Sequence, residues 1–234
     1  MKILALDSTA VVGSVALCED SRMVAHYTLN TGNTHSQTLL PMIESVLKSA
    51  EWEIDDLDLF AVSQGPGSFT GVRIGIATIK GLAFGKNIPC AGVSTLEALA
   101  YNLRYYSGII CPVMNARRAQ VYNALFACEN GVLTRLCPDR AISIAELDEE
   151  LATATQPIYL VGDGYDITLD GFQKTQVVPV PDELRYQSGY SVALCGLAAH
   201  SRGEAVNDTT LAPVYLRPSQ AERERNERLA NENT

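Results

Sequence analysis

One order of elements occurs twice along these 234 residues, and it leaves few ways for the chain to bury itself. Three short strands, "KILALD", "GSVALCE" and "MVAHYTL", are separated by turn-forming residues and read as a β-meander. The next stretch, "THSQTLLPMIESVLKSA", repeats Leu39, Ile43, Val46, Leu47 and Ala50 at helical spacing, with Thr34 or Ser36 as cap and Pro41 as a possible bend or start. A strand "LDLFAVSQG", an apolar helix from Thr70 to about Gly85, a strand "NIPCAGV" and a helix "STLEALAYNLR" complete the first unit. The second unit repeats the order. "GIICPVMNA", "AQVYNALFA" and "GVLTRLCPD" are strands, "SIAELDEELATA" is a helix, and "PIYLVGDG" and "TQVVPV" are strands before the long helix in "QSGYSVALCGLAAHSRG". Ser94 with Glu97, and Ser143 with Glu146, are spaced as capping boxes. "LAPVYLR" closes as a short strand. The period is too long for a solenoid, so the order predicts two sheet-and-helix lobes.

The stretch "SQGPGSFTGVRIG", Ser63 to Gly75, concentrates four glycines at a strand-to-helix turn. It is not a phosphate-binding P-loop, because Gly71 is followed by Val72 and Arg73 where that loop needs Lys and a hydroxyl residue. Nor does it fit the dinucleotide fingerprint G-x-G-x-x-G. Two readings stay open: a helix N-terminus that meets an anion, capped by Ser68 or Thr70, or a device for close backbone approach. Interior glycine costs a helix about 1 kcal/mol relative to Ala. Gly71, Gly75, Gly81 and Gly85 therefore call for a compensating contact, with the preceding helix or with another subunit.

Apolar residues make up 47% of the chain and charged ones 19%, which predicts a sizeable core. A net charge of −9 argues against a surface that holds nucleic acid alone. No run approaches the roughly 18 apolar residues of a membrane span, and "MKILALDSTA" lacks a secretory core, so a cytoplasmic protein is expected. The six scattered cysteines show no C-x-x-C pair and read as small buried hydrophobes. His26, His35 and His200 form no H-x-x-x-H, and no G-x-S-x-G elbow occurs, which speaks against a peptidase. Asp7 with Ser8 and Thr9 ends the first strand, either as a turn or as an acidic corner for a metal and phosphate. At the matching place of the second unit stands Asn115 instead of a carboxylate. "VGDGYD" is a turn signal with Gly162 and Gly164, either an ordinary turn or the border of an adenosine pocket.

The blocks "ILALDSTA", "THSQTLLP", "SQGPGSFTGVRIGIATIKGLA", "GVSTLEALA", "NARRAQVYNALF", "LVGDGY" and "PVYLR" occur in the order found in the bacterial TsaB (YeaZ) family, from Met1 to about Arg217. The resemblance implies an α/β fold of the actin-like ATPase (ASKHA) architecture, with two ribonuclease-H-like lobes. The lobes expected are 1–103 and 104–189, with 190–217 closing back on the first lobe and 218–234 a polar tail. It further implies a non-catalytic subunit in the making of threonylcarbamoyl-adenosine in tRNA. The implied partners are a catalytic paralogue, TsaD, which carries the metal-binding histidines, and a P-loop ATPase, TsaE. Pairing with TsaD, or with a second copy when alone, is implied through the first two helices. The positions expected there are His35, Leu39, Ile43, Val46 and Leu47, then Gly71, Val72, Gly75, Ile76, Ile79 and Ala83. The tRNA is expected to be met only through the complex. No cofactor is firmly expected, with ATP or ADP placed at the complex and weak nucleotide contact at Asp7, Thr9, Gly162 and Gly164. Relatives carry Asp where this chain has Asn115. The alternative is an ATP-dependent phosphotransferase using Asp7 and the loops between the lobes.

Overall fold

A computed structural model describes residues 1–217; the predicted polar tail, 218–234, lies outside the described residues. The first sheet has the order β3-β2-β1-β4-β5, built from β1 (Lys2–Asp7), β2 (Gly13–Glu19), β3 (Arg22–Leu29), β4 (Leu59–Gly65) and β5 (Cys90–Ser94). The meander β1–β2–β3 is antiparallel, and β4 and β5 run parallel to β1. The parallel neighbours of β1 are fed by crossover helices, α1 (His35–Ala50) before β4 and α2 (Phe69–Ala83) before β5. β1 and β4 are apolar on both faces because both faces are covered. Leu4, Leu6, Phe60 and Val62 pack under α1 and α2. Ile3, Ala5, Leu59 and Ala61 pack on the other side under α7 (Gly189–Ser201).

The second sheet is centred on β6 (Gly108–Arg117). On one side β6 pairs with β7 (Gln120–Asn123) and then β8 (Phe126–Glu129), which carry β10 (Arg140–Ser143) and β9 (Val132–Arg135). On the other side lies parallel β11 (Ile158–Val161). α3 (Thr95–Tyr101) covers one face of this sheet, and α4 (Ile144–Leu151) with α5 (Tyr165–Gly171) covers the other. A four-residue helix, α6 (Asp182–Arg185), leads back to α7.

Two predicted strands do not form. Residues 175–180 and 211–217 run without a ladder, each tied to a strand by a backbone bond: Val178 N–H to the Ile158 carbonyl at 2.8 Å, and Val214 N–H to the Gln64 carbonyl at 2.7 Å. Pro179 and Pro213 lack the donors a continued ladder needs. The predicted strand 119–127 breaks at Ala124–Leu125 into β7 and β8. Of the two capping boxes, Ser143–Glu146 is reciprocal. Ser94 caps α3 through the Glu97 amide, whereas the Glu97 carboxylate turns to Arg135 at 3.3 Å. Among the described residues no helix is long and apolar enough to cross a membrane.

Candidate functional site

A cleft of about 780 Å³ opens between the lobes. Its first-lobe wall is the turn after β1 (Thr9–Val11), the start of α1 with His35, and the glycine-rich turn into α2. Its second-lobe wall is the end of β6 (Met114–Arg117) with Asp163, and Val214–Arg217 complete it.

The glycine-rich turn has its shape because its backbone lies against the end of β1. A Cβ on Gly71 would stand 2.1 Å from the Ser8 carbonyl oxygen, and one on Gly75 would stand 2.5 Å from Ser8 Oγ. Ser8 Oγ donates to the Gly71 carbonyl at 2.9 Å, and the Ser68 amide donates to the Thr9 carbonyl at 2.7 Å. Gly65 and Gly67, at φ +117 and +159, meet the Val214 and Thr9 carbonyls in the same way. So the contact that compensates Gly71 and Gly75 is with a strand end, neither the preceding helix nor another subunit. Gly81 is different: nothing lies within 4 Å of its absent Cβ.

Asp7 is 1% exposed and does not reach the cleft. One carboxylate oxygen accepts from the Thr9 amide at 2.8 Å and the Thr9 hydroxyl at 2.7 Å, and the other accepts from the Ser63 hydroxyl at 2.5 Å. Burial raises its pKa, and the bonds from Ser63 and Thr9 oppose that rise. Of the four residues expected at nucleotide, only Thr9 lines the cleft, and its hydroxyl is committed to Asp7. Gly162 and Gly164 are turned away from it. A Cβ on Gly162 would stand 2.3 Å from the Val113 carbonyl, and the Gly164 amide donates to that same oxygen at 3.0 Å. Their role is to lay the β11–α5 turn onto β6. The residue between them, Asp163, faces the cleft instead. Protein around its carboxyl pushes it up to about 6, against bonds from its own amide and that of Asn115. Asn115 itself accepts from the Arg117 amide at 2.8 Å, fixing a hairpin turn in which Arg117, Arg118 and Ala119 all have positive φ. Among the described residues no group of three or more His, Cys, Asp or Glu is placed to hold a metal.

The positions expected to pair with a partner are the helices' inward side. Leu39, Ile43, Val46, Leu47, Val72, Ile76, Ile79 and Ala83 are all buried against the first sheet, and Gly71 and Gly75 lie on β1. Burial of each large side chain there contributes roughly 1.5–3 kcal/mol to folding. The apolar periodicity marks the stripe that packs on the first sheet. His35 sits at the cleft, its Nε2 2.6 Å from the Ala10 carbonyl. The outward positions of the same helices are Leu40 (51% exposed), Arg73, Ala77, Gly81 and, just past α2, Phe84 (79% exposed). The sequence signal for them is only that they fall between the core positions.

The family model described as "TsaD: tRNA N6-adenosine threonylcarbamoyltransferase" matches residues 26–225. The tRNA threonylcarbamoyladenosine biosynthesis protein TsaB of Bacillus subtilis is 34% identical over 95% of this chain and 96% of its own length. The protein of that name from Escherichia coli is 30% identical over 93% and 95%. Among solved structures, YeaZ from Pseudomonas aeruginosa superposes with a TM-score of 0.79 at 28% identity, over 92% of this chain and 99% of that one. The ethanolamine utilization protein EutJ from Carboxydothermus hydrogenoformans shares the fold alone, at a TM-score of 0.51 and 13% identity over 84% and 90%. The two-lobed α/β architecture is thus the actin-like one, and the chain belongs to the TsaB (YeaZ) family, within the wider family that the TsaD model describes.

Proposed function

We propose that this chain serves tRNA threonylcarbamoyladenosine biosynthesis as a non-catalytic subunit that binds and supports a TsaD-like catalytic relative. The names of its relatives supply the pathway. The observation that supports a non-catalytic role is the state of Asp7, whose two oxygens are both bonded inside the first lobe and which does not line the cleft. The residues expected to hold nucleotide do not fit it, so no chemical step is derived through ATP or ADP in this cleft; we assign nucleotide, with the TsaE ATPase and the tRNA, to the complex. The same reading places the partner, or a second copy of this chain in its absence, on the outward faces of α1 and α2.

Gly81 offers a clean test, since a side chain there meets only solvent. In the full chain, Gly81→Arg is expected to unfold at a temperature no lower than the parent's, since Arg is the better helix former. In size-exclusion chromatography with light scattering it is expected to weaken co-elution with the TsaD-like protein of the same organism at least about tenfold, the loss of a little over 1.4 kcal/mol. Co-elution equal to the parent's would remove the partner from this face. Ile76→Glu cannot serve here, because Ile76 is 4% exposed and a buried unpaired carboxylate unfolds the lobe.

A further inference from the structure

After α7 the chain returns along the first lobe and then crosses to the second. Val206 bridges to Cys90 at the edge of the first sheet. Lys80 Nζ donates to the carbonyls of Thr209 at 3.2 Å and Leu211 at 3.1 Å, and Leu211 is 2% exposed in the first-lobe core. Beyond this anchor the contacts change character. Val214 bonds to Gln64, and its carbonyl occupies the space left open at Gly65. The Tyr215 ring stacks on Phe69 with centroids 4.5 Å apart. Arg73 lies over Phe69 at 3.9 Å while its Nε donates to the Tyr215 hydroxyl at 2.8 Å. Two residues later Arg217 Nη1 donates to the Ala116 carbonyl at 3.0 Å, on β6 of the other lobe.

We propose that residues 211–217 are a latch, fixed to the first lobe by Leu211 and Tyr215 and to the second by Arg217, whose release opens the inter-lobe cleft. The four residues from Val214 to Arg217 all line that cleft, so the same segment ties the lobes and forms part of the cleft wall. Its release is separable from unfolding. The segment belongs to no ladder, and Val214 and Tyr215 keep 42% and 40% of their surface in solvent. Such a segment opens at a fraction of the global unfolding free energy. Leu211, buried in the core, marks where the moving part begins.

Backbone hydrogen exchange on the full chain tests this with two variants, Tyr215→Ala and Arg217→Met. The first removes the stack, and the second removes only the bond to the second lobe and keeps an unbranched side chain. The expected result is exchange faster by about tenfold or more at both cleft walls, Ser68–Val72 and Asn115–Arg117, with β1, β2 and α7 as slow as in the parent. Gly65→Ala is expected to act alike, since its Cβ would displace the Val214 carbonyl. Faster exchange at Val214 with both cleft walls unchanged would show that the segment lies on the cleft without controlling it. Uniformly faster exchange with a lower melting temperature in all three variants would make the segment part of the core, which also overturns the proposal.

Discussion

Asp7 and Asp163 are both carboxyls near the cleft with raised pKa values, yet the physics differs. Asp7 is buried with three donors on it, so its side chain is a hub that satisfies Ser63 and Thr9. Asp7→Ala strands those hydroxyls in the core and is expected to lower stability by about 2–4 kcal/mol. Asp7→Asn keeps an acceptor and removes a charge that burial disfavours, and urea denaturation is expected to place it within about 1 kcal/mol of the parent. A large loss in Asp7→Asn would mean that the ionised form is needed. For Asp163 the folded pKa, about 6, lies above the 3.8 of an ordinary aspartate carboxyl. A raised carboxyl binds its proton more tightly when folded, so its contribution is full below pH 3.8 and is lost as pH rises through 6. The parent's urea midpoint, relative to that of Asp163→Asn, should therefore fall across that window. A constant difference between the two would show that Asp163 is not perturbed. The Asp–Gly turn signal located this corner in the sequence, but which of its three residues faces the cleft depends on the Val113 carbonyl, fifty positions away and silent in the local pattern.

At the scale of elements, periodicity gave the right helices and hid their outward side. Leu39, Ile43, Val46 and Leu47 recur at helical spacing because they face the sheet, and the outward positions of the same helix are what that stripe leaves over. Proline decided the two strands that failed, since Pro179 and Pro213 withhold ladder donors. Gly71 and Gly75 were legible as exceptions in α2, but not their cause, which lies at the end of β1; Gly81 has no such contact. Two substitutions separate the two cases on one helix. Gly71→Ala drives a methyl to 2.1 Å from the Ser8 carbonyl and should cost about 3 kcal/mol or more, because backbone on both sides must shift. Gly81→Ala meets open space and should gain about 0.5–1 kcal/mol from helix propensity. Equal effects in thermal melts would mean that propensity alone governs both positions.

At the scale of the whole molecule, the twofold order of elements was the most legible feature, because each unit must cover its own sheet. How the units are joined was not legible. The chain passes between them after α3 and again before α7, and one side chain connects the two passages. Asn102 Nδ2 donates to the Leu184 carbonyl at 3.0 Å and the Tyr186 carbonyl at 2.8 Å, while its Oδ1 accepts from Ser191 Oγ at 2.6 Å. Three partners on one amide couple the end of α3, the return segment and the start of α7. Asn102→Ala leaves all three unpaired, a loss of about 2–3 kcal/mol placed at the junction and not in either core. If that junction makes the lobes unfold together, its loss should separate them. Trp52, the single tryptophan, packs on the first-lobe core and reports that lobe alone. In the parent, the denaturation midpoints from Trp52 fluorescence and from far-ultraviolet circular dichroism should coincide. In Asn102→Ala they should part, and the calorimetric enthalpy should exceed the van't Hoff value. Coincident midpoints in the variant would place the coupling in the packing of α7 on α3, the helix that covers the second sheet, instead.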